Sequence, residues 1–313
     1  MLDIWNYISC FIEKDRDKCH LLSVSKELSQ CKFYFNEKIN TCLIKNLSRF
    51  DYFTNVSNIN NIKKKNQPTV SIPLPLHITH LTFSDNFNKE LGNYIPSSVI
   101  NLSFGRCFNK SINGHIPSSV KYLSLGWNFN RSVDNLPSSI THLKFGFYYN
   151  ETINNFPPSL EYLQFGAYFN KPIDNLPMSI VRLKFGHYFN QPIRNLPSSL
   201  KYLRFGNMFN RYIDSFPSSL KYVHFGSNFD PSNLVNLPST VTHLYCYNLR
   251  DSYINNIPSS VTHLYYKNTN IHEEIPSSII YLIPMCLKII FKRHENRFIK
   301  IDDPSIVEEM DFE

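Results

Sequence analysis

A proline returns through this chain at Pro75, Pro96, Pro117, Pro137, Pro157, Pro177, Pro197, Pro217, Pro238, Pro258 and Pro276, in steps of 21, 21, 20, 20, 20, 20, 20, 21, 20 and 18 residues. A period this short holds one strand and one return, too little to enclose a core of its own. Each unit must therefore bury its apolar edge against the next one. The reading that follows is a solenoid built from parallel strands, one strand per period.

The unit opening at Pro197 shows the grammar. Apolar residues stand at offsets three, six and eight from the proline (Leu200, Leu203, Phe205), followed by Gly206, Phe209, Asn210, Ile213 and Phe216. Leu203 and Phe205 alternate around Arg204, which predicts a short strand with one buried face. Gly206 has counterparts at Gly105, Gly126, Gly146, Gly166, Gly186 and Gly226. A residue without Cβ there allows either a positive φ or a close backbone approach. The proline, with fixed φ and no N–H, suits the corner where the return re-enters the next strand.

Phe87, Phe108, Phe129, Tyr149, Phe169, Phe189, Phe209 and Phe229 sit twelve residues after each proline. Core packing explains such a row, because each buried ring stabilises by about 1.5–3 kcal/mol. The Asn that follows it in most units, as at Asn190 and Asn210, can satisfy backbone groups left unpaired at a turn.

The phrases "FNKPIDNLP" (169–177) and "FNQPIRNLP" (189–197) resemble the FNIP repeat, a leucine-rich-repeat relative found in amoebae and in giant viruses that infect them. The resemblance covers residues 71–283 and implies a mainly β, leucine-rich-repeat-like solenoid with parallel strands. Arg250 and Asn270 stand where the pattern has Phe, so the array is expected to degenerate into a C-terminal cap and tail over residues 284–313.

The first 45 residues differ in texture. Ile4, Trp5, Ile8, Phe11 and Ile12 recur at helical spacing, and Leu21, Leu22, Val24 and Leu28 form a second stripe. This predicts a small α-helical unit over residues 1–45. Its segment "LLSVSKEL" (21–28) resembles the Leu-Val-Ser-Lys-x-Trp segment of the F-box family, with Leu28 in place of Trp and Leu2-Asp3 in place of the opening Leu-Pro. Residues 46–70 read as a linker with an irregular first strand at 53–62 and a solvated loop at Lys63-Lys64-Lys65.

An F-box implies docking on the Skp-type adaptor of a cullin-based ubiquitin ligase. Ile8, Leu22, Val24, Ser25 and Lys26 would then lie at the adaptor interface, and the repeats would select a protein substrate. A helical cap shielding the first repeat is the alternative reading of the same residues.

Other classes are constrained by composition. The seven cysteines (Cys10, Cys19, Cys31, Cys42, Cys107, Cys246, Cys286) form no C-x-x-C pair, so neither a disulfide framework nor a metal site is expected. The acidic Asp3 and the absence of an apolar run of about 18 residues point to an intracellular, cytoplasmic protein without a membrane span, in the host cytoplasm if the source is viral. About 30 residues follow the last repeat, too few for an independent catalytic domain. No cofactor or enzymatic activity is expected.

Residues flanking the buried leucine point to the opposite face of the strand, the concave one of a solenoid. Offset five reads His80, Asn101, Tyr122, His142, Tyr162, Arg182, Tyr202, Tyr222, His243, His263 and Tyr281; offset seven runs from Thr82 to Tyr245 and Tyr265. Lys144, Tyr162, Gln164, Arg182, Lys184, Tyr202, Arg204, Tyr222 and His224 make a cationic and aromatic column, nearly free of carboxylates, which suits a protein partner with acidic or polar surface. A scaffold without a ubiquitin role fits the same column. The net charge of +7 keeps nucleic acid as a weaker possibility, because no dense basic run or nucleic-acid module is present.

Overall fold

The computed structural model describes residues 39–40, 55–59, 78–92, 95–249, 251–266, 275–284, 290–294 and 297–301. The chain divides into two compact units, 1–146 and 147–313. The helical stripes read at residues 4–12 and 21–28 lie outside the described residues.

In the first unit, strands β1 (Ile39–Asn40), β2 (Asn55–Ile59), β3 (His80–Phe83), β4 (Asn101–Ser103), β5 (Tyr122–Ser124) and β6 (His142–Lys144) pair in sequence order, all parallel. β2 shifts register between Val56 and Ile59, and β1 places a strand inside the first 45 residues. In the second unit, β7 (Tyr162–Gln164), β8 (Arg182–Lys184), β9 (Tyr202–Arg204), β10 (Tyr222–Phe225), β11 (His243–Cys246), β12 (His263–Tyr266) and β13 (Tyr281–Pro284) again stack in parallel.

Within each unit, the rungs up to β10 are tied to their neighbours at three corners. At the first, the Pro-Ser-Ser turn closes by a bond such as Leu200 N–H to the Pro197 carbonyl, 3.1 Å. The second hydroxyl residue of that turn donates to the carbonyl at offset three of the preceding rung. Ser199 reaches Ile180 at 2.7 Å, Ser219 reaches Leu200 at 2.7 Å, and Thr240 reaches Leu220 at 2.9 Å. The proline therefore sets the turn, and the serine uses it to hold the register.

The glycine column forms the second corner. A Cβ on Gly126, Gly146, Gly186, Gly206 or Gly226 would fall closer than 3.0 Å to the carbonyl group of the glycine one rung earlier. None of these residues has a positive φ. Of the two uses a glycine has here, close backbone approach is the one the chain makes. Backbone bonds continue past the stack, as from Tyr188 N–H to the Ala167 carbonyl at 2.9 Å and from Met208 N–H to the His187 carbonyl at 3.0 Å.

At the third corner the asparagines form a ladder. The Asn170 N–H donates to Asn150 Oδ1 (2.9 Å), Asn190 to Asn170 (2.9 Å), Asn210 to Asn190 (3.0 Å) and Asp230 to Asn210 (3.1 Å). The first unit repeats this from Asn88 through Asn109 to Asn130. Each amide side chain thus satisfies a backbone donor that the turn would leave orphaned.

Between these corners lies a core of two aromatic columns. Phe185, Phe205 and Phe225 follow the strands and stack at 5.5 and 5.7 Å, while Phe169, Phe189 and Phe209 stack at 6.1 Å. The columns also touch each other, with Phe205 and Phe209 centroids 3.8 Å apart. In the first unit Phe83, Phe104 and Phe108 do the same at 5.1 and 4.1 Å.

The 21-residue steps are absorbed in the returns and leave the strands alone. The first two carry Gly92 (φ 53°) and Gly114 (φ 73°), left-handed positions that let one extra residue fold back on itself. The third carries a 3-10 helix, Pro231–Asn236, whose N-cap Asp230 accepts from the Ser232 N–H at 3.0 Å. A second 3-10 helix, Asp251–Asn256, follows in the next return.

The parallel stacking ends where β14 (Ile290–His294) pairs antiparallel with β13 and β15 (Arg297–Ile301) pairs antiparallel with β14. Arg293 fastens this hairpin to the last rung. Its guanidinium donates to the carbonyls of Ile279 (2.8 Å), Pro276 (3.0 Å) and Ile275 (3.1 Å) and lies 4.6 Å from the Phe298 ring.

Two substitutions separate the core from the backbone contact. Phe209→Ala empties a ring-sized volume and is expected to cost about 3–5 kcal/mol. Gly206→Ala adds one carbon against an immovable carbonyl and is expected to cost at least about 1–3 kcal/mol. Chemical denaturation of the two variants measures both; a Gly206→Ala chain as stable as wild type would contradict the close approach.

Candidate functional site

Eight of the nine expected site residues come together in the second unit. Parallel pairing aligns Tyr162, Arg182, Tyr202 and Tyr222 in one column and Gln164, Lys184, Arg204 and His224 in the next. The ninth, Lys144, ends β6 in the first unit and is exposed. The adaptor-facing set, Ile8, Leu22, Val24, Ser25 and Lys26, lies outside the described residues.

The columns are more enclosed than alternation alone implies. Tyr202 retains 5% of its surface and Lys184 6%. Arg182 is exposed, whereas Tyr162, Gln164, Arg204, Tyr222 and His224 are half-buried. Rings on strands about 4.8 Å apart cover one another's faces. The Lys184 ammonium lies 5.7 Å from the Tyr162 ring and 5.9 Å from the Tyr202 ring, so its aliphatic stem is packed away and its charge sits between two π faces. The Tyr162 hydroxyl donates to Gln164 Oε1 at 2.5 Å.

The ring ladder extends beyond the expected site. In the first column Tyr202 and Tyr222 are 6.2 Å apart, Tyr222 and His243 4.3 Å, His243 and His263 4.0 Å, and His263 and Tyr281 4.6 Å. In the second, His224 stacks on Tyr245 at 5.0 Å and Tyr245 on Tyr265 at 3.8 Å. Thr242 and Thr262 pair through Oγ1 with Nδ1 of His243 and His263, both at 2.9 Å. His243, Tyr245, His263 and Tyr265 belong to the same sequence columns but were outside the expected set; their aromatic identity at offsets five and seven was the signal.

Enclosure fixes the charge states. Burial pushes the Tyr202 hydroxyl up to about 12, with Arg204 opposing it, and raises Tyr162 against the opposing fields of Arg182 and Arg204. Burial also raises Tyr245, assisted by Tyr265. His224 is pushed down to about 3 by burial and then by Arg204, and His243 to about 3 by burial and then by His263. These rings are neutral near pH 7, and the fixed charges beside them are Arg182, Lys184 and Arg204. Among the described residues neither arginine pairs with a carboxylate; an ion pair does join Lys110 to Glu90, in the first unit.

The Cys246 thiol, buried beside the ladder, is pushed up to about 12 by burial. No group of three or more His, Cys, Asp or Glu side chains able to hold a metal occurs among the described residues. No helix among them is long and apolar enough to cross a membrane.

The family model described as FNIP Repeat matches residues 66–107, 108–148, 132–168, 149–175 and 169–208. Residues 66–208 are FNIP repeats. The matched span includes β3 to β9, and parallel strand pairing continues to β13. Among solved structures, the crystal structure of CroV588, described as a novel circular LRR protein, is similar with a TM-score of 0.59 and 38% identity. The similarity covers 73% of this chain and 35% of that one, so the chain spans about a third of that protein's length. No curated protein matches the chain. The FNIP array is thus a leucine-rich-repeat-like solenoid of parallel strands, a scaffold-type fold suited to protein interaction.

The buried histidines make stability depend on pH. In the unfolded chain His224 and His243 take up protons near their ordinary 6.5, and in the folded chain only near 3. The unfolded state therefore binds protons first, so stability is fully present above about pH 6.5 and declines as pH falls from there towards 3. The slope is up to about 1.4 kcal/mol per pH unit for each histidine. Urea unfolding at pH 7 and pH 4.5 is expected to show a smaller acid loss for His243→Phe and His224→Phe than for wild type; equal losses would contradict the assignment.

Proposed function

We propose that this chain is a non-catalytic recognition subunit whose second unit binds a protein partner through the strand face carrying Tyr162, Arg182, Lys184, Tyr202, Arg204, Tyr222 and His224. The observation that carries this reading is electrostatic. Two arginines without carboxylate partners among the described residues stand on a face whose tyrosines and histidines are held neutral, so the face is net cationic. It is also rigid, because the glycine stack and phenylalanine core fix the strands beneath it. Rigid aromatics give contact area at low entropy cost, and clustered positive charge speeds encounter with an acidic surface.

The F-box resemblance of residues 1–45 supports the finer form of this reading. The N-terminal segment would dock on a Skp-type adaptor, and the FNIP array would present the substrate to a cullin-based ubiquitin ligase in the cytoplasm. A scaffold with no ubiquitin role uses the same strand face and dispenses with the adaptor.

Two experiments separate these statements. Arg182→Glu with Arg204→Glu is compared with Lys63→Glu and Lys64→Glu, which change net charge by the same amount. Affinity capture from host lysate is expected to lose its partners, by roughly tenfold or more, only in the first protein. Equal loss in both would indicate general electrostatic attraction, including that to nucleic acid.

Independently, Ile8→Asp with Val24→Asp places charges on the two apolar stripes read from the sequence, where docking would have to desolvate them. It is expected to abolish recovery of the Skp-type adaptor while far-ultraviolet circular dichroism of the repeats is unchanged. If the wild-type chain recovers neither adaptor nor cullin, the scaffold reading replaces the ligase reading.

A further inference from the structure

Arg182, Lys184 and Arg204 are not spread along the face but gathered around one pair of rings. Register places Arg182 beside Tyr202 and Lys184 beside Arg204 on adjacent strands, and Arg182 is aligned with Tyr162 on the other side. The Lys184 ammonium lies between the Tyr162 and Tyr202 rings at 5.7 and 5.9 Å. Arg182 and Arg204 both act electrostatically on the two tyrosine hydroxyls. Three cations thus share two neutral phenols within two strand spacings, about 10 Å.

Like charges brought this close repel, and part of that cluster is withdrawn from water. Where folding alone governs, a neighbouring carboxylate would offset the repulsion. Arg182 and Arg204 have none among the described residues. Gln164, which ends β7, presents a neutral amide in the same column as Lys184 and Arg204. Glu161, which directly precedes β7, is exposed, and its backbone carbonyl receives the Arg182 N–H at 3.0 Å.

We propose that Arg182, Lys184 and Arg204, with the neutral side chains of Tyr162 and Gln164, form a compact site for one phosphate monoester dianion. Two guanidiniums offer planar, bidentate donors to its oxygens, the ammonium, buried between two rings, supplies a fixed point charge, and the Gln164 amide NH2, oriented by the Tyr162 hydroxyl on its Oε1, donates to an oxygen that the cations do not reach. A phosphate ester carries about −1.5 to −2 charge near pH 7 and three strong acceptor oxygens, which suits three neighbouring cations better than a single carboxylate. The site deepens the proposed function and rests on it for its source: the phosphate belongs to a phosphorylated side chain of the protein partner. A free small phosphate ester shares this chemistry and is distinguished by the test.

The test uses the full chain and defined ligands. Isothermal titration is run with inorganic phosphate, glycerol phosphate, a phosphoserine peptide and the same peptide unphosphorylated, at constant ionic strength set with chloride. Saturable binding of phosphate is expected, with the phosphoserine peptide tighter than glycerol phosphate and the unphosphorylated peptide at least about tenfold weaker. Arg182→Gln, at an exposed position, and Lys184→Met, which keeps the packed stem, are each expected to weaken phosphate binding by roughly tenfold. Lys63→Gln with Lys64→Gln should leave it unchanged.

Glycerol phosphate binding as tightly as the phosphopeptide would assign the site to a small ester instead of a side chain. Phosphate behaving like chloride, or a folded Arg182→Gln chain that binds phosphate as wild type does, would overturn the site. That result would leave partner capture, read separately by the charge reversal above, untouched. Loss of capture with intact phosphate binding would instead overturn the partner reading alone.

Discussion

The rungs up to β10 depend on how closely one rung's backbone approaches the next at the glycine column. The carbonyl of one glycine occupies the space where a Cβ of the following glycine would stand. Two chains can run this near each other only if neither carries a side chain there, and once they do, every other contact between rungs is set. The asparagine ladder needs an N–H one rung away within about 3 Å, and the serine hydroxyls need a carbonyl at the same pitch. Phenylalanine rings stacked at 5.5 to 6.1 Å fill what remains. Three polar ladders and one apolar core therefore share a single register, and none could be shifted without breaking the others.

The same register dictates the chemistry of the strand face. Side chains at equal offsets are placed directly over one another, so a sequence that repeats aromatic residues there builds a ladder of rings. Rings in a ladder shield each other from water, which pushes His224 and His243 down so that both are neutral near pH 7, and pushes the already neutral Tyr202 further up. A face of neutral rings leaves arginine and lysine as its charged groups. The proposed recognition of an anionic partner would then follow from stacking as much as from composition.

Much of this was legible in the sequence. The proline steps and the Leu203-x-Phe205 alternation placed the strands, and the aromatic row at offset twelve placed the inner core. Two features were legible only as alternatives or not at all. A glycine permits both positive φ and close approach, and nothing in the letters distinguishes them; the backbone angles assign the first to Gly92 and Gly114 and the second to the column. The enclosure of Lys184 and Tyr202 arises between rungs, from rings contributed by neighbouring strands, so a single strand's alternation presented both as surface. The 3-10 helix at Pro231–Asn236 did leave a signal, an Asp-Pro pair (230–231) that caps and starts it.

The claim that register is fixed in the strand and glycine segment but free in the return is tested most directly by two single-alanine insertions. One goes between Phe205 and Gly206, the other between Asp214 and Ser215. Hydrogen exchange of the β8, β9 and β10 amides is measured in each. The account predicts near wild-type protection for the return insertion, since 21-residue steps already occur there, and loss of protection in all three strands for the other. Equal protection in the two proteins, or greater loss from the return insertion, would contradict it.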